Sequence, residues 1–157
     1  MSASRSLAHA ALRTPPPVDS APGGEVSENV LKAAADGRVG PVRLWLNDGG
    51  KADTLFHAES QCGQTPCTLL MLSAQAGHVQ MVELLLKRGA HINLQTSCGS
   101  TALNTAAACY GNERMVEMLL LHGAEINPQD SAVWSALAVA AQGGQERVVD
   151  LLLRRGA

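Results

Sequence analysis

One short hydrophobic pattern recurs four times along the chain. Gly37, Gly77, Gly111 and Gly144 are each followed twelve residues later by a second glycine, at Gly49, Gly89, Gly123 and Gly156. Apolar residues fill the fourth, fifth, seventh, eighth and ninth places after the first glycine. They are Met81, Val82, Leu84, Leu85 and Leu86 in the second unit, and Val148, Val149, Leu151, Leu152 and Leu153 in the fourth. The sixth place is always charged: Arg43, Glu83, Glu117, Asp150. An apolar stripe with a single wet edge predicts a helix of about two and a half turns. Lys87, Arg88, His122, Arg154 and Arg155 stand in last turns, where positive charge suits the helix dipole. The closing glycine is placed to cap the helix in the left-handed conformation.

Before each first glycine lies a second, Ala-rich helical segment: Leu31–Ala35, Leu70–Ala74, Leu103–Ala108 and Leu137–Ala141. Its small side chains let it lie flush against a partner helix. Ser27, Thr101 and Ser135 stand where an N-cap side chain accepts the orphan amide hydrogens. Short turn-rich stretches, such as Asn93–Gly99, join the units. Helix, tight turn, helix and finger, at a period of 33–34 from Gly89 to Gly123 to Gly156, is a repeat architecture.

The residues carrying this period resemble those of ankyrin repeats. They include Gly-Gln-Thr-Pro at 63–66, Ala-Gly-His at 76–78, and Val82 through Asn93. The third unit adds Gly99 through Leu103 and Leu119 through Asn127. The resemblance runs from about Val26 to Ala157 and implies an all-α solenoid of helix-turn-helix modules with short β-turn fingers. A lead over residues 1–25 would precede a repeat domain over 26–157, with modules near 26–57, 58–97, 98–130 and 131–157.

Three departures stand out. Gly49 and Gly89 are 40 residues apart. Three of the seven extra residues lie between Gly-Gln-Thr-Pro and Gly77, nearly one helical turn. The simplest expectation caps that helix at Thr65 with Pro66 in its first position; the alternative caps it at Thr68 and puts the insertion in the finger. Four more residues lengthen the finger Lys51–Gln64, and one is inserted near Cys109-Tyr110. Pro41 falls in a first helical turn, where proline is tolerated.

Composition narrows the function. Of 157 residues 46% are hydrophobic but only 3% aromatic, so Leu, Val, Ala and Met must build the core. A net charge of -2 with interspersed signs offers no basic stripe for nucleic acid. No apolar run reaches the ~18 residues of a membrane span. Met1–Gly24, with Pro15-Pro16-Pro17 and Pro22-Gly23-Gly24, has too little apolar area to offset its ordering entropy, so it is expected to be a disordered lead. Arg5 and Arg13 among Ser and Ala, before the first acid at Asp19, allow a transit peptide instead. Cys62, Cys67, Cys98 and Cys109 form no CxxC, and the sequence has no Asn-x-Ser/Thr. Both point to reduced thiols in a cytoplasmic or nuclear protein. An organelle is the alternative, should the lead be a transit peptide.

No catalytic or cofactor motif is present, and no metal or cofactor is expected. His78 stands where the resemblance places a structural histidine. Trp45 replaces a Leu in the stripe and is expected in the core. Trp134, in the finger before Ser135, is either a cap over a neighbouring turn or a binding anchor. Gln129 and Asp130 give it a polar rim, and Phe56 in the long finger is a weaker anchor. In the resemblance, partners dock on the fingers and on the concave face of the first helices. By position these add Thr96, Ser97, Met71, Gln75, Asn104, Tyr110 and Gln142, beside Cys109 and Ala138. The function implied is non-enzymatic recognition of a protein partner. The alternative is a regulatory ankyrin fragment of a larger enzyme, such as a kinase or ubiquitin ligase. The last stripe lacks the polar outer face of a terminal repeat. Either the chain continues or this end self-associates, and Leu152→Ala is expected to cost less than Leu85→Ala or Leu119→Ala.

Overall fold

The computed structural model describes residues 26–60, 63–109, 112–127 and 135–157. Four helix pairs account for most of it: α1 Glu28–Ala35 with α2 Val39–Asn47, α3 Leu69–Gln75 with α4 Val79–Lys87, α5 Ala102–Ala107 with α6 Glu113–Leu121, and α7 Ala136–Gln142 with α8 Glu146–Arg154. A hairpin, β1 Leu55–Ser60 and β2 Gly63–Thr68, forms the finger between the first two pairs. The fold is therefore the expected helical solenoid, with one finger drawn out into a small sheet.

The pairs stack in two rows. Each Ala-rich helix (α1, α3, α5, α7) packs on its own partner and on the next helix of its row, while α2, α4, α6 and α8 form the other row. Alanines at the crossings make that approach possible: Ala33, Ala34, Ala74, Ala106, Ala107, Ala136 and Ala140 are fully buried. In the second row the stripe divides by depth. Met81, Val82 and Leu85, or Met115, Val116 and Leu119, are buried. Places seven and nine (Leu84, Leu86, Met118, Leu120) are half-buried against the core. Each fully buried leucine is worth about 1.5–3 kcal/mol over an exposed one.

The helix ends follow the sequence in part. Gly49, Gly89, Gly123 and Gly156 have φ of 97°, 87°, 91° and 96°, in the left-handed region. The residue after each donates back to the last turn, as in Ala90 N to Leu85 O at 3.0 Å. That closes the double bond of a Schellman cap. Thr101 and Ser135 accept from the amides of Asn104 and Ala138. Ser27 caps α1 by position only, with no side-chain bond.

Several expectations are corrected. α3 is capped by Thr68, whose hydroxyl accepts the Met71 amide at 3.2 Å. Thr65 and Pro66 lie in β2 instead, so the insertion sits in the finger. Phe56 pairs with Cys67 across the hairpin and is buried, because alternation along β1 turns it inward while Leu55 faces solvent. Trp45 is half-buried, its indole lying where a Cβ on Gly50 would be. Leu152 is 0% exposed, so the last module is as well filled on its inner side as the middle ones. Residues 1–25, the proposed lead, lie outside the described residues.

Candidate functional site

The finger at 96–100 and the row of short helices form a groove of about 360 Å³. Thr96 builds the finger wall. Its amide donates to Ser100 O at 3.0 Å, its carbonyl accepts from Gly99 N at 2.8 Å, and its hydroxyl accepts from Ser100 N at 3.2 Å. Gly99 completes the turn at φ 73°. These bonds hold Cys98 and Ser100 at the rim. The floor comes from α5 and α7: Asn104 and Thr105 on one, with Ala108 at its C-cap, and Val139 and Gln142 on the other. Thr101 positions α5, capping it through Asn104 N and accepting the Thr105 hydroxyl on its carbonyl at 2.7 Å.

No lining residue carries a formal charge. The groove offers hydroxyls, the Gln142 carboxamide and one thiol around Val139 and Ala108. That chemistry suits an uncharged segment able to exchange hydrogen bonds while placing a small apolar group on the floor. Among the described residues no group of three or more His, Cys, Asp or Glu is arranged to hold a metal ion. No helix among them is long and apolar enough to cross a membrane.

Of the residues expected to face a partner, Asn104 and Gln142 line this groove, and Ser97 is exposed beside it. Asn104 is only 8% exposed, however, so it is floor rather than open surface. Three others are corrections. Met71 (2%) and Thr96 (6%) are interior, Met71 beneath the neighbouring short helices and Thr96 inside its own turn, and Phe56 belongs to the core. Gln75 is half-buried at the end of α3, where its carbonyl accepts from Asn112 at 3.4 Å. Tyr110, Gln129, Asp130 and Trp134 lie outside the described residues. Cys98, Gly99, Ser100, Thr105, Ala108 and Val139 were missed. The spacing Asn104–Ala108 gave a signal, since residues four apart share a helix face.

Cys67, Cys98 and Cys109 are free. Desolvation pushes the Cys67 thiol from 9.0 up to about 12, against smaller lowering contributions from backbone hydrogen bonds at Thr68 and Leu72. Burial also raises Cys109. Cys98 is exposed at the groove rim.

Residues 30–130 and 70–157 each match the family model for ankyrin repeats (three copies). The chain belongs to the ankyrin-repeat family, whose members generally serve as protein–protein interaction modules and are generally non-enzymatic. A stretch of 42 residues, 27% of the chain, is 45% identical to ankyrin repeat and SOCS box protein 1 of Homo sapiens. The same figures hold for the Mus musculus protein. The match spans 12% of the length of each of these curated relatives.

Proposed function

We propose that the protein is a non-enzymatic recognition module that binds a protein partner through its fingers and concave helix face, centred on the groove between the 96–100 finger and α5–α7. The observation that carries this is the groove's uncharged, hydrogen-bonding lining, set on two helices, α5 and α7, whose inner faces are packed into the core. A preorganised surface spends little ordering entropy on binding. Gln129, Asp130 and Trp134, which lie between α6 and α7 in the sequence, and Tyr110, which comes after α5, are proposed as further contacts. The cytoplasm or nucleus is the compartment proposed, supported by the cysteine usage. The alternative, repeats serving as the regulatory part of a larger enzyme, draws on the likeness to a protein whose name joins ankyrin repeats to a SOCS box and of which the match spans 12%.

Two variants test the groove. Gln142→Arg and Ala108→Arg each place a long charged side chain at exposed positions on its floor. Partners captured by the wild type should be lost from both, with thermal stability nearly unchanged. Identical capture by all three proteins would sink the assignment. Trp134→Ala separates the two roles of that residue. An anchor loses roughly 2 kcal/mol or more of binding at an unchanged melting temperature, whereas a structural cap lowers the melting temperature itself.

A further inference from the structure

The two outer edges of the hairpin finger are not alike. Ser60 pairs with Gly63 across two intervening residues, and a closing pair of that kind exchanges hydrogen bonds across the turn. Bonding alternates from there, so Ala58 with Thr65 and Phe56 with Cys67 are the hydrogen-bonded pairs. The backbone N–H and C=O groups of Leu55, His57 and Glu59 therefore point away from β2. On the other strand the outward positions are Gln64, Pro66 and Thr68, and Pro66 has no N–H to offer. Proline at that place leaves the β1–β2 ladder intact and interrupts the outer edge of β2. β1 contains no proline. Among the described residues, nothing outside the hairpin hydrogen-bonds to Leu55 or His57. Both are exposed, Leu55 at 51%. None of the residues lining the groove at the 96–100 finger belongs to this hairpin.

We propose that the open edge of β1 takes β1 of a second copy, running antiparallel about a two-fold axis at Ala58. The product is a four-stranded sheet in the order β2, β1, β1, β2. Two strands alone are marginally stable in water, so the hairpin gains from the added pair. The arrangement matches itself in charge. His57 stands opposite Glu59 of the second copy, twice over, and the small Ala58 meets its own equivalent on the axis. His57 and Glu59 also bring the outward backbone groups that the new ladder needs. The assembly closes, because each copy uses its uninterrupted edge and Pro66 ends on both outer strands. Self-matching charge and closure select a second copy over a foreign strand.

Sedimentation equilibrium of the full chain in reducing buffer, up to about hundreds of micromolar, should show monomer and dimer in exchange. One pair of short strands makes a small interface, so the association is weak. By NMR, the amides of His57 and Glu59 should exchange more slowly as concentration rises. Those of Phe56 and Ala58, already bonded to β2, should not change. His57→Pro removes an outward N–H from β1, as Pro66 does on β2, and should leave a monomer with an unchanged melting temperature. His57→Glu sets acid against acid and should weaken the dimer roughly tenfold, and adding Glu59→His should restore it. That charge swap leaves the backbone alone, so it decides the matter if His57→Pro also lowers the melting temperature. A chain monomeric throughout the range overturns the proposal, as does a dimer indifferent to the charge swap. So does association that Leu153→Glu abolishes, because the contact would then lie at the last helix pair.

Discussion

The imidazole of His78 reaches back 43 residues to the carbonyl oxygen of Ala35, with Nε2 at 2.7 Å. With a carbonyl as acceptor, Nε2 carries the hydrogen. Asn112 makes the equivalent bond to Ala74 O at 2.8 Å, and Gln145 to Ala107 O at 2.6 Å. Three different side chains, each following the first glycine of its unit, thus donate to a carbonyl at the end of the preceding module's short helix. The bonds fasten module to module where the apolar stripe does not reach. Fingers are fastened separately. Asp53 accepts the His91 amide at 2.8 Å and pairs with its imidazole, and Asn93 accepts the Glu125 amide at 2.8 Å and donates to Gly123 O at 3.2 Å.

Gln145→Ala should therefore destabilise the chain by roughly 0.5–1.5 kcal/mol, since it removes a buried hydrogen bond to the Ala107 carbonyl. Urea denaturation measures it. A loss of only a few tenths would mean that the bond contributes nothing beyond packing.

Leu85, Leu119 and Leu152 are all 0% exposed. Truncation to Ala should cost each about 2–5 kcal/mol, with Leu152 inside the same range as the other two. Leu153→Ala, next to it but more than half exposed, should cost clearly less. Urea melts of the four variants decide whether the last module is filled from within, as its burial requires.

Thr68 and Ser27 occupy the same cap position with different geometry. Thr68→Ala should cost about 1 kcal/mol, because its hydroxyl holds the Met71 amide. Ser27→Ala should cost much less, since that side chain makes no cap bond. Thermal melts of the two variants test the assignment of Thr68 as the start of α3.

Much of this was legible in the sequence because it is local. The helical stripe, the closing glycines and the caps Thr101 and Ser135 each depend on a few neighbouring residues. Thr65 against Thr68 was ambiguous for a physical reason: a residue before proline favours extended backbone, and an N-cap is extended too. The misplaced site residues depend on distant contacts. Phe56 is buried only because β1 pairs with β2, and Met71 only because the short helices stack. Along a row of such helices, sequence offset alone does not separate the face turned to the groove from the face turned to the next module.

Cys67 ties stability to alkaline pH. Its folded-state thiol value, about 12, stands above the ordinary 9.0, so the folded form disfavours the thiolate. The contribution is fully present below about pH 9 and is lost as pH rises from 9 towards 12. Tm should fall over that window. At neutral pH iodoacetamide should modify Cys98, exposed at the groove rim, well before Cys67. Equal labelling rates in the native state would contradict the burial of Cys67.

Gly37 and Gly89 both lie in the left-handed region, at φ 74° and 87°. Their surroundings differ. A Cβ at Gly89 meets nothing within 4 Å, whereas one at Gly37 comes within 2.7 Å of the His78 ring. Gly89→Ala should cost the backbone strain alone, about 1–2 kcal/mol. Gly37→Ala should cost more, because it also displaces the ring that holds Ala35. In a His78→Ala background the obstruction is gone, so Gly37→Ala should then cost no more than Gly89→Ala. Contacting residues couple in this way, and a double-mutant cycle isolates the coupling. Additive losses in that cycle would show that the turn and the His78 bond act independently, and that the module junction is held by packing alone.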